Sequence, residues 1–411
     1  MFRNTRPNVI GNSEFIALMA LLMSLIALAI DTMLPALSVI GGELGVSDVN
    51  HNQLIISIFI LGMALGQVFY GPLSDTTGRK PAIYLGTVIF MLGCVISLFA
   101  SSFSIMLAGR LLQGLGIAGI RIVIMALIRD KYEGREMAKV MSFIMTLFIL
   151  VPIIAPAIGQ AIVSFSHWRV IFIFFLLLAV ISSFWFYLRQ PETLSIDKRV
   201  PLSLSRVLSA TMEVCSNRIA LGYTLINGFI NGVFLAFLTT SPQILQEQYQ
   251  LGIKFPLYFA LLAIAVGVAT FFNGKIVMRY GMRLLCHRAL YGLFILSVLF
   301  CFPAFSYNGH PPLWSFIGFL MISLLCVGFV FSNLNAMAMQ PLGHIAGVGA
   351  AVIGFLSTLM SVPIAIYIGH SYNGTIIPLL LGFIVCSLAG IVLAIWTERT
   401  ASAAENLKAD S

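Results

Sequence analysis

Charge is scarce in this sequence of 411 residues. Only 9% of the residues are Asp, Glu, Lys or Arg, whereas 59% are hydrophobic and the mean hydropathy is +1.00. An ordinary soluble domain contains about 25% charged residues. The composition therefore excludes a soluble globular protein and predicts a chain that crosses a membrane many times.

Signature motifs of catalysis and of ATP use are also missing. The sequence contains no GxxxxGK[ST] phosphate loop, no HExxH zinc motif and no GxSxG nucleophile turn. The six cysteines are scattered, with no two closer than 15 residues, which indicates neither a CxxC metal site nor a disulfide framework. We therefore expect no enzyme activity, no cofactor and no metal site.

Long apolar runs, in contrast, are abundant. A membrane-spanning helix needs about 20 apolar residues, and the first such run begins near Phe15 without the cleavage site of a signal peptide behind it. We expect it to be the first span. The sequence predicts twelve spans, at 15–38, 52–72, 81–101, 104–128, 139–163, 169–188, 218–241, 255–275, 286–306, 312–336, 346–368 and 375–396.

Lys and Arg are concentrated in alternate connecting segments. With both termini in the cytoplasm, 19 of the 23 Lys and Arg residues fall in cytoplasmic segments and two, Arg110 and Arg121, fall within spans. Only Arg169 and Lys254 fall on the outer side. The positive-inside rule therefore predicts a multi-pass protein with both termini cytoplasmic. The net charge of +8 follows from this bias and predicts no nucleic-acid partner.

The longest polar stretch divides the spans into six and six. We predict an N-terminal six-helix bundle (1–188), a cytoplasmic linker (189–217) and a C-terminal six-helix bundle with a cytoplasmic tail (218–411). Gly71 and Gly78 in GPLSDTTGRK are echoed by Gly274 and Gly281 in GKIVMRYGMR, both at an offset of 203. The predicted fold is an all-α membrane protein with two pseudo-symmetric bundles around a central cavity, as in many secondary transporters.

Only one carboxylate is placed at membrane depth. Asp31, in IALAIDTMLPAL, lies far from the span ends, where an ionised carboxylate costs ~2.5–3.5 kcal/mol on insertion scales. Pro35 cannot donate to the carbonyl of Asp31, so the helix is weakened there. Arg110 in the fourth span lies at the same depth as Asp31. In the second half of the chain, Leu238 stands at the place that Asp31 has in the first half, so no second acid is predicted there. Because burial favours the neutral acid and a cation favours the charged one, Asp31 and Arg110 predict a proton-coupling site in the first bundle. A fixed buried ion pair is the alternative.

Polar faces of two further spans are predicted to line the cavity. In the fourth span a polar stripe follows Arg110 on one helical face, and in the seventh span two asparagines share a face. Arg121 is placed to meet an anionic group of a substrate, with snorkelling or packing as the alternative; for the asparagines the alternative is helix-to-helix hydrogen bonding. The predicted cavity residues are Gln113, Ile117, Arg121, Asn227 and Asn231.

Several segments resemble a known family. GPLSDTTGRKP (71–81) resembles the signature loop of the major facilitator superfamily, GRLLQGLGIAG (109–119) its fourth-helix element and VPIIAPAIGQ (151–160) the fifth-helix motif of its exporters. DTMLPAL, RDKYEGREMAKVMSF (129–143) and NAMAMQPLGHIAG (335–347) are similar to the Bcr/CflA branch of bacterial drug/proton antiporters.

The resemblance implies two gating segments. In the signature loop the acid pairs with cytoplasmic helix ends while glycines allow a tight turn, although Thr76 stands where a basic residue is usual. The fifth-span segment helps to seal or rock the bundles; simple packing and kinking of the helix is the alternative. The gating residues carried over on this basis are Gly71, Asp75, Gly78, Arg79, Pro152, Pro156 and Gly159.

The resemblance also implies a function. It predicts a proton-coupled antiporter of the bacterial inner membrane that exports drugs or other small amphipathic compounds by alternating access. The expected partners are a small-molecule substrate, protons and the lipid bilayer, and the expected state is a monomer. One alternative is an exporter of an endogenous metabolite, such as a sugar, an amino acid or a siderophore. The other is a receptor or scaffold that transports nothing.

Overall fold

The structure, a computed structural model, describes residues 11–201 and 203–409. This part of the chain is helical and contains no strand. Residues 1–10 and 410–411, which the predicted bundles include, lie outside the described part. The α-helices are α1 (Asn12–Asp31), α2 (Leu37–Glu43), α3 (Leu54–Thr77), α4 (Arg79–Leu98), α5 (Phe103–Lys131), α6 (Gly134–Phe165), α7 (Arg169–Arg189), α8 (Leu204–Ser216), α9 (Arg218–Pro242), α10 (Phe255–Tyr280), α11 (Met282–Ser306), α12 (Leu313–Met339), α13 (Ala346–His370) and α14 (Ile377–Ala409).

Twelve helical segments of the described chain are long and apolar enough to cross a membrane. This result confirms the predicted number of spans and the all-α membrane fold. The first segment crosses in two pieces, because α1 ends at Asp31 and the chain becomes α-helical again only after a 3₁₀ turn at Leu34–Ala36. Pro35 has no N–H with which to continue the hydrogen-bond ladder of α1, which explains the break.

Two bundles of six spans, α1–α7 and α9–α14, lie side by side. Within the first bundle α5 packs against α3 and α4, and within the second α12 packs against α10 and α11. Between the bundles, α3 packs against α13 and α6 against α10. The second span of each half thus meets the fifth span of the other half, as an approximate two-fold axis requires. The predicted pseudo-symmetric pair of bundles is confirmed.

Two of the repeated glycines form equivalent turns. Gly78, with φ +107°, joins α3 to α4, and Gly281, with φ +78°, joins α10 to α11. A residue with a Cβ is strained at such φ values, so glycine suits both sites. The echo in the sequence therefore corresponds to a repeated structural element.

Gly71, expected in the same turn as Gly78, lies instead inside α3. The helix continues past Pro72 and ends only at Thr77. The Ser74 and Thr77 hydroxyls donate to carbonyls three or four residues earlier, both at 2.9–3.0 Å. These local bonds support helix beyond the apolar span, so hydropathy placed the helix end too early.

The segment between the bundles contains a helix of its own. After α7 ends at Arg189, α8 packs against α9 and α13 before α9 begins at Arg218. Glu213 of α8 pairs with His344 at 2.8 Å. We call the end of the molecule that carries this segment and the α3–α4 turn the linker end, and the opposite end the far end.

Candidate functional site: the cavity between the bundles

A cavity of about 990 Å³ lies between the two bundles. Its lining starts beside the middle of the first span, at Ile30, and reaches charged residues of the linker end such as Asp75, Arg129 and Glu213. The cavity therefore opens at the linker end. The polar residues that line it away from this opening come from both bundles. They are Gln67, Arg121, Asn227, Asn231, Asn335, Ser357, Thr358 and Ser361.

The predicted cavity residues fall into two groups. Arg121, Asn227 and Asn231 line the cavity. Gln113 and Ile117 do not line it, because both are fully buried. They share a face of α5 with Arg121 but lie nearer the far end, where neighbouring helices cover that face.

Arg110 is fully buried and connects three helices. Its guanidinium donates to the carbonyl of Ala29 in α1 at 2.8 Å, to the carbonyl of Ile55 in α3 at 3.0 Å and to Oε1 of Gln113 at 2.7 Å. The ring of Phe59 lies 4.4 Å from the guanidinium carbon. Arg110 thus forms a dry structural junction of α1, α3 and α5.

Asp31 is the last residue of α1 and is only 5% exposed. In the described part of the chain its carboxyl group has no hydrogen-bond or ion-pair partner, although its neighbour Ile30 lines the cavity. Arg110, the expected partner, is bonded instead to the carbonyl of Ala29, two residues earlier. The fixed ion pair considered as an alternative is therefore absent from this conformation.

The fifth span covers the break in the first. A Cβ at Gly159 would collide with the carbonyl of Thr32 and contact the ring of Pro35, so only glycine allows this close approach. Pro152 and Pro156 lie inside the continuous helix α6, which also packs against α10 of the other bundle. The predicted gating segment is thus placed between the helix break and the second bundle.

The far end is closed by a cluster of amides that we call the far-end seal. Gln53 donates to Oε1 of Gln243 at 2.6 Å and to the carbonyl of Gly369 at 3.2 Å. Gln243 donates to Oδ1 of Asn50 at 3.0 Å, and Asn50 donates to the carbonyl of Tyr372 at 2.9 Å. Each of these bonds joins the first bundle to the second. Gln243 opens a π-helical turn, Gln243–Gln248, that follows Pro242.

Sequence analysis did not identify the far-end seal. Glutamines near span ends are common, and nothing in the local sequence pairs Gln53 with a residue 190 positions away. The available signal was a proline at the end of the first span of each half: Leu34-Pro35 in the first half and Ser241-Pro242 in the second. A π-helical turn is rare and often marks a functional site.

Gln53→Ala is expected to destabilise the closed far end. The variant loses bonds to Gln243, Gly369 and Thr239; at about 1 kcal/mol per bond, the equilibrium between the two open states shifts by roughly tenfold or more. Leu238, which lines the cavity, supplies the reporter. A membrane-impermeant maleimide added at the far end is expected to label Leu238→Cys several-fold faster in the Gln53→Ala background.

Gln160→Ala is the matched control for this experiment. Gln160 lies near the far end of α6, and its described hydrogen bond goes to Ser164 of the same helix. Its replacement is expected to leave the labelling rate unchanged. Equal labelling rates in the Gln53→Ala and parent backgrounds would contradict the gating role of the far-end seal.

Charged residues form a second cluster at the linker end. Arg79 pairs with Asp75 at 2.6 Å and with Asp130 at 2.8 Å. Thr76, which stands where a basic residue is usual, donates from its hydroxyl to the carbonyl of Val200 at 2.9 Å. The predicted gating residues Asp75 and Arg79 thus meet, and Asp130 is a partner that sequence analysis missed.

Glu192 caps the start of α4. Its carboxylate accepts hydrogen bonds from the backbone N–H groups of Arg79 at 2.9 Å and Lys80 at 3.0 Å, and from those of Thr193 and Leu194. The first N–H groups of a helix have no intrahelical acceptor. Burial by itself raises the pKa of Glu192, but the four N–H groups outweigh it and hold the pKa below its ordinary value of 4.5.

Glu192→Gln is expected to lower the melting temperature at neutral pH and to have a smaller effect in acid. Because the native pKa lies below the unfolded one, the stabilisation by Glu192 is complete above about pH 4.5 and is lost as the pH falls through the native pKa. Melting curves of both proteins at pH 7 and in steps from about pH 5 down to about pH 3 measure this convergence. A difference that stays constant with pH would contradict it.

Comparison with known proteins assigns the family. The family model described as Major Facilitator Superfamily matches residues 19–366. The chain belongs to the major facilitator superfamily. It is 29% identical over 344 residues to a bicyclomycin resistance protein homolog of Haemophilus influenzae, covering 83% of this chain and 85% of the relative. It is 28% identical over 385 residues to the multidrug resistance protein MdtL of Salmonella heidelberg, covering 92% and 93%.

A solved structure agrees with this assignment at the level of the fold. The xylose transporter XylE from E. coli, in a partially occluded inward-open conformation, superimposes with a TM-score of 0.72 over 94% of this chain and 96% of that chain, at 12% identity. The resemblance to the Bcr/CflA branch is confirmed by the named relatives. The protein is a multi-pass bacterial membrane protein related to transporters.

Proposed function

We propose that this protein is a proton-coupled antiporter that exports small amphipathic compounds, drugs among them, by alternating access. The relatives named for bicyclomycin and multidrug resistance support drugs as cargo. The excess of Lys and Arg at the linker end supports its placement in the cytoplasm, with the chain in the inner membrane. The cavity of the present conformation then faces the cytoplasm. Neither a cofactor nor a second subunit enters this proposal.

The observation that carries the proposal is the state of Asp31. It is buried, it ends a helix at a proline break and it has no partner in the described part of the chain. An ionised carboxylate in that position would be almost entirely removed from water and would have no counter-charge among the described residues. We therefore infer that Asp31 holds a proton in this state and releases it when water from the cavity reaches it past Ile30.

Two closures support alternating access. In the present conformation the far-end seal joins the bundles while the cavity is open at the linker end. In the opposite state the far-end amides separate, and the linker-end cluster around Arg79 comes together with the second bundle. Exchange of substrate for a proton at Asp31 then biases the equilibrium between the two states, since a ligand shifts an equilibrium only through its different affinities for them.

Gradient-driven flux tests the proposal. The purified protein is reconstituted into liposomes, a pH gradient is imposed and a fluorescent amphipathic compound is followed across the membrane. We expect uptake against its concentration gradient, driven by the pH gradient and abolished by a protonophore. Flux no greater than in protein-free liposomes, under every gradient direction, would contradict transport and would favour a receptor or scaffold.

A further inference from the structure

The charges in the cavity are not balanced. The acids of the lining, Asp75, Asp130 and Glu213, all lie at the linker end, and each is already paired: the first two with Arg79, the third with His344. Three arginines of the lining, Arg79, Arg129 and Arg206, also lie at the linker end and match these acids in number.

Arg121 is different in both depth and pairing. It lies about two and a half helical turns closer to the far end than Asp130, by the rise of 1.5 Å per residue, and its side chain is exposed to the cavity. Among the described residues its guanidinium has no hydrogen-bond or ion-pair partner. A guanidinium carries five N–H donors in a planar fork that matches a carboxylate, so Arg121 offers the cavity unused donors and a positive charge.

The second bundle adds a further donor to the same cavity. Asn227 donates to Oγ of Ser357 at 3.2 Å and to Oδ1 of Asn335 at 3.4 Å, and it accepts from Asn231 at 3.3 Å. The amide nitrogen of Asn335 has no acceptor in the described part of the chain. Arg121 and Asn335 thus present unused donors from the two bundles.

The rest of the cavity wall suits an apolar body. Met63, Met125, Phe234 and Leu238 belong to the lining, and methionine side chains adapt to irregular ligands. A ligand that suits Arg121 and this apolar wall has an anionic group and an aromatic or aliphatic body.

We propose that the cavity binds amphipathic organic anions, with the anionic group on the guanidinium of Arg121, the amide of Asn335 as a second donor, and the apolar body against the methionine and phenylalanine side chains. This inference rests on the proposed function, because it takes the cavity to be the transport site. It assigns a charge to the substrate that the names of the bicyclomycin and multidrug resistance relatives do not state. An anion held from both bundles also couples substrate binding to their relative position.

Three probes with the same ring system test the inference: 1-naphthoate, the neutral 1-naphthamide and the cationic 1-naphthylmethylammonium. Equilibrium binding to the purified full-length protein is measured by calorimetry in detergent without any pH gradient. We expect naphthoate to bind at least about tenfold more tightly than either of the others, since charge-assisted bonds to a guanidinium exceed neutral ones.

Variants at Arg121 test whether this residue causes the preference for the anionic probe. Arg121→Gln is expected to weaken naphthoate binding about tenfold and to leave naphthamide binding unchanged, whereas Arg121→Lys keeps most of the preference for the anion. Lys275→Gln removes one exposed charge outside the cavity lining and is expected to change neither affinity. Unchanged naphthamide affinity in Arg121→Gln also shows that the variant is folded.

Naphthoate binding that is absent, or no tighter than binding of the other two probes, would overturn the proposal. A preference that persists in Arg121→Gln would overturn the role of Arg121. Both results are independent of proton coupling, because no gradient is present. Conversely, selective anion binding without gradient-driven flux would leave this inference standing and would contradict the proposed antiport.

Discussion

Asp31→Asn is expected to abolish transport driven by the pH gradient while the protein remains folded and still binds its substrate. Asparagine has nearly the same shape but cannot release a proton, so flux should follow the substrate gradient alone. The measurement is flux in proteoliposomes with and without an imposed pH gradient. Coupled flux equal to that of the parent protein would contradict the proposed role of Asp31.

Stability distinguishes this role from a structural one. If Asp31 belonged to a buried ion pair, removing its charge would cost about 3–5 kcal/mol. Because it has no partner in the described structure, we expect Asp31→Asn to melt at the same temperature as the parent protein or slightly higher. Asp197→Asn, which changes an exposed acid of the linker segment, is the matched control and is expected to alter neither flux nor melting.

Arg110→Ala is expected to be the most destabilising of these substitutions, by about 3–5 kcal/mol. It would leave the carbonyls of Ala29 and Ile55 and the side chain of Gln113 without their donor in a region with no exposure to water. The α1–α3–α5 junction would also lose the packing of the guanidinium on Phe59. Denaturant unfolding of the purified protein measures the effect.

Two further variants test whether the hydrogen bonds of Arg110 explain the loss of stability. Arg110→Lys keeps the positive charge but cannot reach all three acceptors with the planar fork of arginine, so we expect an intermediate loss. Lys275→Ala, on an exposed helix surface, is expected to stay within about 0.5 kcal/mol of the parent protein. Parent-like stability of Arg110→Ala would show that the junction contributes little and that Arg110 serves chiefly in coupling.

Local features were predictable because they depend on few neighbours in the chain. Pro35 removes a donor from its own helix, and α1 does end at Asp31. Gly78 and Gly281 adopt positive φ at the turns where the echo placed them. The resemblance put Gly71 in the turn, whereas hydropathy already included it in the second span. Side-chain hydroxyls extend α3 beyond it to Thr77, a local effect that hydropathy does not measure.

Partnerships of the predicted residues were less predictable. The helical period put Gln113 and Arg121 on the same polar stripe of α5, but burial at the far end separates a buried junction residue from a cavity residue. Depth alone suggested that Arg110 meets Asp31, whereas its guanidinium bonds to the carbonyl of Ala29. Matching depth is necessary for a pair, but rotation about each helix axis decides which groups meet.

The sequence by itself determined that the chain crosses a membrane twelve times in two related halves, and that one acid lies at depth. It could do so because lipid offers no hydrogen bonds, so each span must be an apolar helix that satisfies its own backbone. Only the tertiary structure decided that Gln53 meets Gln243 across the far end, that Asp130 meets Arg79, and that Arg121 has no partner among the residues that the structure describes. The first outcome depends on how the two bundles are placed against each other, and the other two depend on how the helices of the first bundle are packed and rotated. In each case the sequence near one group does not show which distant residue it will meet.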